Sequence, residues 1–489
     1  MKPKSLERLL AGCAVKEIIG SEAGVNVAAI TTDSRQVAAG SLFVAVRGTR
    51  QDGHRFCADA VRRGAVVLVV EKKGASLPGR GVTTVRVADT RKALEHLVRL
   101  FYEEPQKKIS CVGVTGTNGK TTTTYLIHSV LRASGRRCGL LGTTGYDVGA
   151  GLVRMNNTTP GLTELYAILH RMVRGRCTHV VLEVSSHALD QERVKGLVFK
   201  EALFTNLTRD HLDYHKTMSA YFAAKKRLFE KYVDASSTRI VNIDDAYGAR
   251  LKKTGRGRLV TYGLSAGADI RGVVKTEGWA GSRLRVTTRR GRMDVFTPLV
   301  GRHNVYNVLA AVAAATAEGI PEAAIRRGIE ACGTVAGRLE RVKNDRGIHV
   351  FVDYAHTDDA LKNVLESLRR IPHNGNIITV FGCGGDRDRG KRPRMGRVAS
   401  RLSDYTVVTS DNPRTEDPGS IIRAILKGVV GNRWEVVLDR RQAIGRAFSK
   451  ARRGDVVLIA GKGHESCQIV GSAVIPFDDR VVARAFLTP

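Results

Sequence analysis

Val112-Gly113-Val114-Thr115-Gly116-Thr117-Asn118-Gly119-Lys120-Thr121, followed by threonines at 122, 123 and 124, decides how the chain is read. Cys111 to Val114 is apolar and β-branched enough for a buried strand, the glycines permit a tight turn, and Thr121 to Leu131 has the composition of a helix start. A strand, loop and helix N-terminus in that order aim backbone N–H groups and a positive dipole end at an anion. Lys120 is then placed to reach outer phosphates, and Thr121 to offer a hydroxyl to Mg²⁺. The strict G-x-x-x-x-G-K-[ST] spacing is not met, because Val114 stands five positions before Gly119. Gly-Lys-Thr in this setting still outweighs the bland alternative, a glycine turn with an ordinary surface lysine.

Size and composition bound what surrounds this loop. At 489 residues the chain is too long for one core and divides into about three domains. The formal charge of +32 raises nucleic acid or a membrane surface as partners. The cationic residues are scattered in short groups, such as Arg289-Arg290, Arg369-Arg370 and Arg440-Arg441, rather than gathered in a tail. That pattern favours polyanionic small substrates and a solvated basic surface over nucleic acid. The eight cysteines are far apart with no C-x-x-C pair, so reduced thiols are expected, with neither a disulfide framework nor a zinc site. Leu9-Leu10-Ala11-Gly12 is too short for a signal peptide, and no apolar run approaches the ~20 residues of a membrane helix. A cytoplasmic location without membrane insertion is expected.

Residues 1–106 read as a small mixed α/β unit, with strands at Val27 to Thr32, Leu42 to Val46 and Ala65 to Val70 and a helix over Thr90 to Phe101. Polar turn residues cluster at its strand ends, from Thr32-Asp33-Ser34-Arg35 to Gly48-Thr49-Arg50-Gln51-Asp52-Gly53-His54. The central unit, 107–334, alternates strands and helices and so predicts a parallel sheet with covering helices. His179 to Glu183 puts a carboxylate at the end of a buried strand, where a nucleotide-binding sheet holds its magnesium acid. Asp210-His211-Leu212-Asp213 follows, then a helix over Ser219 to Tyr232 carrying Lys225 and Lys226. His303, Asn304 and Asn307 open an alanine-rich helix, where they could cap it or touch a nucleotide. The third unit, 335–489, is a second, Rossmann-like α/β domain. The carboxyl ends of its strands carry Gly382 to Arg387, Asp411-Asn412-Pro413-Arg414 and Gly461-Lys462-Gly463-His464-Glu465, where ligands of such sheets bind. Neither glycine cluster completes G-x-G-x-x-G, so a nicotinamide site is not indicated.

Taken together, Thr115 to Thr121, Glu183-Val184-Ser185-Ser186-His187, Asp210 to Asp213, His303 to Asn307, Gly337-Arg338-Leu339-Glu340 and Asp353-Tyr354-Ala355-His356 resemble the Mur ligases of peptidoglycan synthesis, in family order and over essentially the whole chain. The N-terminal block and Asp411 to Arg414 are most similar to the branch that joins UDP-N-acetylmuramoyl-L-alanyl-D-glutamate to a diamino acid. The resemblance implies that ATP phosphorylates the glutamyl side-chain carboxylate and that the incoming amine attacks the acyl phosphate, leaving amide, ADP and phosphate. It implies catalytic roles for Lys120, Glu183, His211 and Lys225. ATP contacts are implied at Gly116, Thr117, Asn118, Gly119, Lys120, Thr121, Thr122, Asn304, Arg338 and Asp353. A pair of Mg²⁺ ions would be held by Thr121, Glu183, His211 and Lys225, the last as a carbamate, which turns a cation into an anion able to bind metal. The UDP-sugar peptide would be met by Ser34, Thr49, Arg50, Gln51, Asn157, Thr158, Thr159, Ser185, Gln191 and Arg193.

Amino-acid choice is implied to rest on Arg414, because meso-diaminopimelate is lysine with one extra carboxylate and a guanidinium grips a carboxylate by two parallel hydrogen bonds. Arg387, Asp411, Asn412, Pro413, Gly461 and Glu465 would complete that pocket, with Glu465 taking the distal ammonium. A lysine-adding ligase is the alternative within the branch. A folylpolyglutamate-synthetase-like ligase shares the phosphate loop but lacks a UDP-sugar unit, and a nucleic-acid-dependent ATPase is motivated by charge alone. A monomer acting on small molecules, without nucleic acid, is expected.

Overall fold

The computed structural model describes residues 2–48, 51–71 and 81–487. The strand Ser110–Thr115 is the axis of the largest sheet. It is six residues of small and β-branched side chains, almost wholly buried, and it pairs in parallel with His179–Glu183 on one side and Glu201–Phe204 on the other. Cys138–Gly142 extends the first flank, and Thr238–Asn242 and Arg258–Gly263 extend the second, all parallel. Strands buried on both faces are continuous apolar runs, as the stretches 111–114 and 180–182 are.

Beyond Arg258–Gly263 the pattern changes. Ile270–Gly278, Gly281–Thr288 and Gly291–Thr297 alternate buried and exposed residues, and the last two pairings are antiparallel. An alternating strand has one face in water, which a parallel sheet covered by helices does not allow. The central sheet of eleven strands is therefore parallel in its core and antiparallel at both ends, since Gly145–Asp147 and Leu152–Val153 also pair antiparallel beyond Cys138–Gly142, and the expectation of a simple parallel sheet included neither extension.

Helices Lys120–Ala133, Arg302–Ala317 and Glu322–Ala331 pack together on one face over Val112, Val114, Leu203 and Ile240. Arg302–Ala317 is buried nearly all round, which its run of alanines permits by letting neighbouring backbones approach closely. On the opposite face Leu162–Arg174 and Met218–Lys231 join a core that is continuous with that of the N-terminal unit.

The N-terminal sheet runs Val15–Ile19, Thr83–Val87, Ala65–Val70, Ser41–Val44, Ala29–Thr31, and only its first pairing is antiparallel. Helix Thr90–Phe101, capped by Asp89, packs its apolar stripe beneath it. The C-terminal sheet orders Glu340–Val342, His349–Asp353, Val456–Ala460, Ile377–Phe381, Tyr405–Val408 and Trp434–Val436, parallel after the first pair. Thr357 caps the helix Asp358–Arg370, with two aspartates in its first turn and two arginines in its last, matched to the dipole. All eight cysteines are unpaired, and no described helix is long and apolar enough to cross a membrane.

Candidate active site

The chain leaves Ser110–Thr115 through Gly116, where φ is +150° and a Cβ would lie 1.8 Å from Thr205 Oγ1. Gly119, at φ +84°, starts the helix Lys120–Ala133, and a Cβ there would meet Asn307 Oδ1 at 2.4 Å. Both positions need glycine for space as well as for φ. The resulting loop turns its backbone around the ammonium of Lys120, which donates to the carbonyls of Gly116 at 2.9 Å and Thr117 at 2.8 Å.

The same Gly116 carbonyl accepts a 2.6 Å bond from Lys225 Nζ, carried by the helix Met218–Lys231. Lys225 is 1 % exposed and lies over the ring of Tyr221. Burial, and then the nearby charge of Lys120, push its pKa well below the usual lysine range. Burial also lowers Lys120.

Glu183 sits at the end of its strand, 1 % exposed, where Thr143 holds both carboxylate oxygens, one by its backbone N–H at 2.8 Å and the other by its hydroxyl at 3.0 Å. His211 has φ +54° and lies 3.4 Å from Asp210. Burial pushes its pKa down, and the charge of Asp210 works against that shift. For Asp210 burial opposes ionisation, but His211, His356 and Lys391 outweigh it and hold the carboxyl well below its usual range.

The third unit closes the cavity from above. Arg338 Nη2 donates to Thr121 Oγ1 at 3.0 Å while its guanidinium lies over the Tyr354 ring. Asp353 accepts from the backbone N–H groups of Leu339 at 2.6 Å and Ala355 at 2.7 Å, and Asn118 Nδ2 donates to Asp359 at 3.0 Å. A cavity of about 490 Å³ results, lined by Thr117 to Thr122, Thr158, Glu183, Ser185, His211, Arg338 and Asp353.

Of the residues expected at the nucleotide and metal, Gly116, Lys225 and Asn304 are not in the cavity wall. Lys225 lies behind the loop, on Gly116. Asn304 is one layer back from the cavity, with its carboxamide on the Val300 carbonyl and bonded by Asn307. The wall in that region is made by His303, Tyr306 and Asn307, and continues past Asp244, Asp245 and Tyr262.

Next to Glu183, the Thr159 hydroxyl donates to the Glu183 carbonyl at 2.8 Å. Arg193 donates to the Thr159 carbonyl at 2.9 Å and, by two nitrogens, to Gln191 Oε1. Asn157 is exposed. Ser34 and Gln51 belong to the N-terminal unit and do not line the cavity. Thr49 and Arg50 lie outside the described residues. Arg91 joins the two units by donating to the carbonyls of Arg47 and Gln191.

A second cluster forms at the carboxyl ends of the C-terminal sheet. Arg414, at φ +53°, donates from Nη1 to the Gly385 carbonyl at 2.7 Å. Asn412 Nδ2 donates to Glu465 Oε2 at 2.7 Å. Gly461 runs so close to Asp411 that a Cβ would meet its carboxylate at 2.6 Å. Pro413 is buried and Arg387 exposed. This cluster is tied to the central unit by the Arg209–Asp388 pair at 3.2 Å and by Arg154 donating to Ser466.

Sequence reasoning missed Thr143, Asp359 and Lys462. Thr143 follows a strand in the same way as the loop residues do, which was the available signal. For the other two, one partner each comes from a distant part of the chain: Asn118 for Asp359 and Asn412 for Lys462.

No group of three or more His, Cys, Asp or Glu residues among those described is arranged to hold a metal. The Thr121 hydroxyl, one carboxylate and one imidazole still fit Mg²⁺, which takes few protein ligands and completes its shell with water and phosphate oxygens. Lys225 as an amine does not fit, since it donates. As a carbamate it does.

Three segments match family descriptions in chain order: residues 26–102 the Mur ligase family catalytic domain, 114–315 the Mur ligase middle domain, and 337–463 the Mur ligase glutamate ligase domain. The chain is 46% identical over 490 residues to the UDP-N-acetylmuramoyl-L-alanyl-D-glutamate--2,6-diaminopimelate ligase of Geobacter metallireducens, covering 96% of this chain and 95% of that one. It is also 46% identical over 478 residues to the ligase of the same name from Geobacter sulfurreducens, with 93% of each covered. A solved structure of a ligase of that name, 33% identical, superposes with a TM-score of 0.69 over 100% of this chain and 99% of the other. With a lysine-lined phosphate loop closed by a third domain, and relatives alike over nearly their whole length, the chain belongs to the Mur ligase family.

Proposed function

We propose that the chain is an ATP-dependent ligase that adds meso-diaminopimelate to UDP-N-acetylmuramoyl-L-alanyl-D-glutamate in peptidoglycan precursor synthesis. The observation that carries this reading is the pairing of two clusters on units tied to one another: the cavity of the phosphate loop and Glu183, and the Arg414–Glu465 group at the carboxyl ends of the C-terminal sheet, linked to the central unit by Arg209–Asp388 and Arg154–Ser466. Curated relatives alike over almost the full length carry that activity in their names.

The γ-phosphate of ATP would replace the carbonyls now holding Lys120, whose ammonium then neutralises charge as the glutamyl carboxylate oxygen attacks phosphorus and ADP leaves. Thr121, Glu183, His211 and Lys225, the last as a carbamate, would hold a pair of Mg²⁺ ions, which would supply Lewis-acid screening of the phosphates. Ser185, Thr158, Thr159, Gln191 and Arg193 orient the sugar peptide beside Glu183. Ser34, Gln51 and their neighbours Thr49 and Arg50 take its uridine end. Arg338 and Asp353 bring the third unit onto the nucleotide and exclude water from the acyl phosphate. The amine of diaminopimelate attacks the acyl carbon, the phosphate leaves with the bonding pair of its bridging oxygen, and the nitrogen loses a proton as the amide forms.

Arg414 and Glu465 set the amino acid, the former pairing with the distal carboxylate and the latter with the distal ammonium. A division at 1–106, 107–334 and 335–489 assigns one ligand to each unit. We place the reaction in the cytoplasm and the enzyme in solution as a monomer.

Mass spectrometry of the sugar product tests this reading. Incubation with ATP, Mg²⁺, the sugar dipeptide and meso-diaminopimelate should yield the condensed tripeptide. An unchanged sugar dipeptide would contradict it.

A further inference from the structure

Within the Gly461-Lys462-Gly463-His464-Glu465 turn, the second residue has no place in the mechanism above, and its surroundings are unusual. The Lys462 side chain is 0% exposed. Its ammonium donates to Asn412 Oδ1 at 3.0 Å, to Glu465 Oε2 at 3.1 Å and to the Cys467 carbonyl at 2.6 Å. An ammonium has three hydrogens, so all its donors are engaged.

The acceptors are the informative part. Glu465 Oε2 takes bonds from both Lys462 and Asn412 Nδ2, whereas among the described residues no hydrogen bond reaches Oε1. The carboxylate is thereby fixed with one oxygen held from behind and the other free. Asn412 Oδ1, the second acceptor, also takes the backbone N–H of Ile469 at 3.0 Å. Cys467, the third, begins the hairpin Cys467–Val470 and Ala473–Pro476. That hairpin clasps the backbone of Arg414: Ile469 accepts from the Arg414 N–H at 3.1 Å, and the Gly471 N–H donates to the Arg414 carbonyl at 2.7 Å. One buried ammonium therefore joins the acidic pole and the basic pole of the amino-acid cluster.

We propose that Lys462 is a positioning residue of the diamino-acid pocket, holding Glu465 with Oε1 presented to the substrate's distal ammonium. This rests on the ligase reading above. A buried cation so close to Glu465 would repel a second ammonium if both met the same oxygen. Separating them onto Oε2 and Oε1 lets one carboxylate bridge the two, and makes the site depend on the orientation of Glu465 as well as its charge.

The test is steady-state kinetics of Lys462→Met and Lys462→Gln, with KM measured separately for meso-diaminopimelate, ATP and the sugar dipeptide, and with L-lysine as a second acceptor. Lys462→Met should raise KM for diaminopimelate about tenfold or more, with KM for ATP and kcat at saturation changed less than about twofold. kcat/KM for lysine should fall by the same factor, because both acceptors carry the distal ammonium. In a Glu465→Gln background the same substitution should add little, since its effect runs through that carboxylate. An unchanged diaminopimelate KM, or equal rises in all three KM values, would overturn the proposal. Failure of both Lys462 variants to fold while Glu465→Gln folds would assign the lysine to the fold and overturn it as well. Absence of diaminopimelate-dependent turnover in the unaltered enzyme would instead refute the ligase reading.

Discussion

Arg338 of the third unit donates to the hydroxyl of Thr121 at 3.0 Å, so the head of the phosphate-loop helix is bonded directly to the far wall of the cleft. The two residues are 217 positions apart in sequence. The Thr121 oxygen accepts here with one of its two lone pairs, so the other stays available to Mg²⁺, and the guanidinium lies beside the incoming charge. Closure of the third unit and nucleotide binding are in this way coupled through one side chain.

Removing that coupling should be visible in the nucleotide kinetics. Arg338→Ala is expected to lower kcat/KM for ATP roughly 10- to 100-fold, the scale of a lost charge-assisted hydrogen bond of about 1.5–3 kcal/mol. KM for diaminopimelate should move far less. Initial rates at varied ATP check this, and an unaltered ATP dependence would remove Arg338 from the nucleotide site.

Lys225 is buried, bonded to Gly116 and shifted by burial toward the neutral amine, which is the form that adds CO₂. Lys225→Ala should reduce kcat on the order of 100- to 1,000-fold, the range for loss of a preorganised charge at a reacting centre. Added short carboxylic acids should restore part of the rate, and Lys225→Arg should remain inactive because a guanidinium does not form the carbamate. Full activity of Lys225→Arg would show that a cation suffices there.

Arg414 is held at φ +53° by the hairpin backbone and by Gly385, so its guanidinium has a fixed direction. Arg414→Ala should lower kcat/KM for meso-diaminopimelate by about 100-fold or more while leaving L-lysine within about threefold, since only the former has a carboxylate to lose. Equal losses for both acceptors would mean that the arginine serves the fold of the turn rather than selection.

Acid stability follows from histidines buried without charge. His303 and His464 have pKa values lowered by burial to about 4 and about 3, against 6.5 for an ordinary imidazole. As pH falls below 6.5 the unfolded chain takes up these protons before the folded one does, so stability is lost progressively down toward the folded values. The melting temperature should therefore drop between about pH 7 and about pH 5, and less steeply for His303→Gln. Identical slopes for the variant and the unaltered chain would contradict the assignment.

Local signals carried the phosphate loop, its flanking strand and helix, and the helix Asp358–Arg370, because glycine spacing, apolar runs and end charges each act within a few residues. The antiparallel strands Ile270 to Thr297 went unread although their alternation is plain in the burial pattern. Of the site, Glu183 was legible as a carboxylate at a strand end, but its clamp by Thr143 depends on two strands lying side by side. Asn304 illustrates the opposite case: its spacing allowed either a cap or a ligand contact, and its bonds to Val300 and Asn307 come from packing. Lys462 could not be told from a surface lysine until its burial was known.

The measurement that bears most directly on the whole account is the initial rate of phosphate release from ATP in the presence of UDP-N-acetylmuramoyl-L-alanyl-D-glutamate, compared among meso-diaminopimelate, L-lysine and no amino acid. Release that depends on both the sugar dipeptide and diaminopimelate, with lysine at or near background, is the predicted result. Release with lysine alone would keep the ligase and discard the pocket argument, and release that needs neither substrate but responds to nucleic acid would contradict the account.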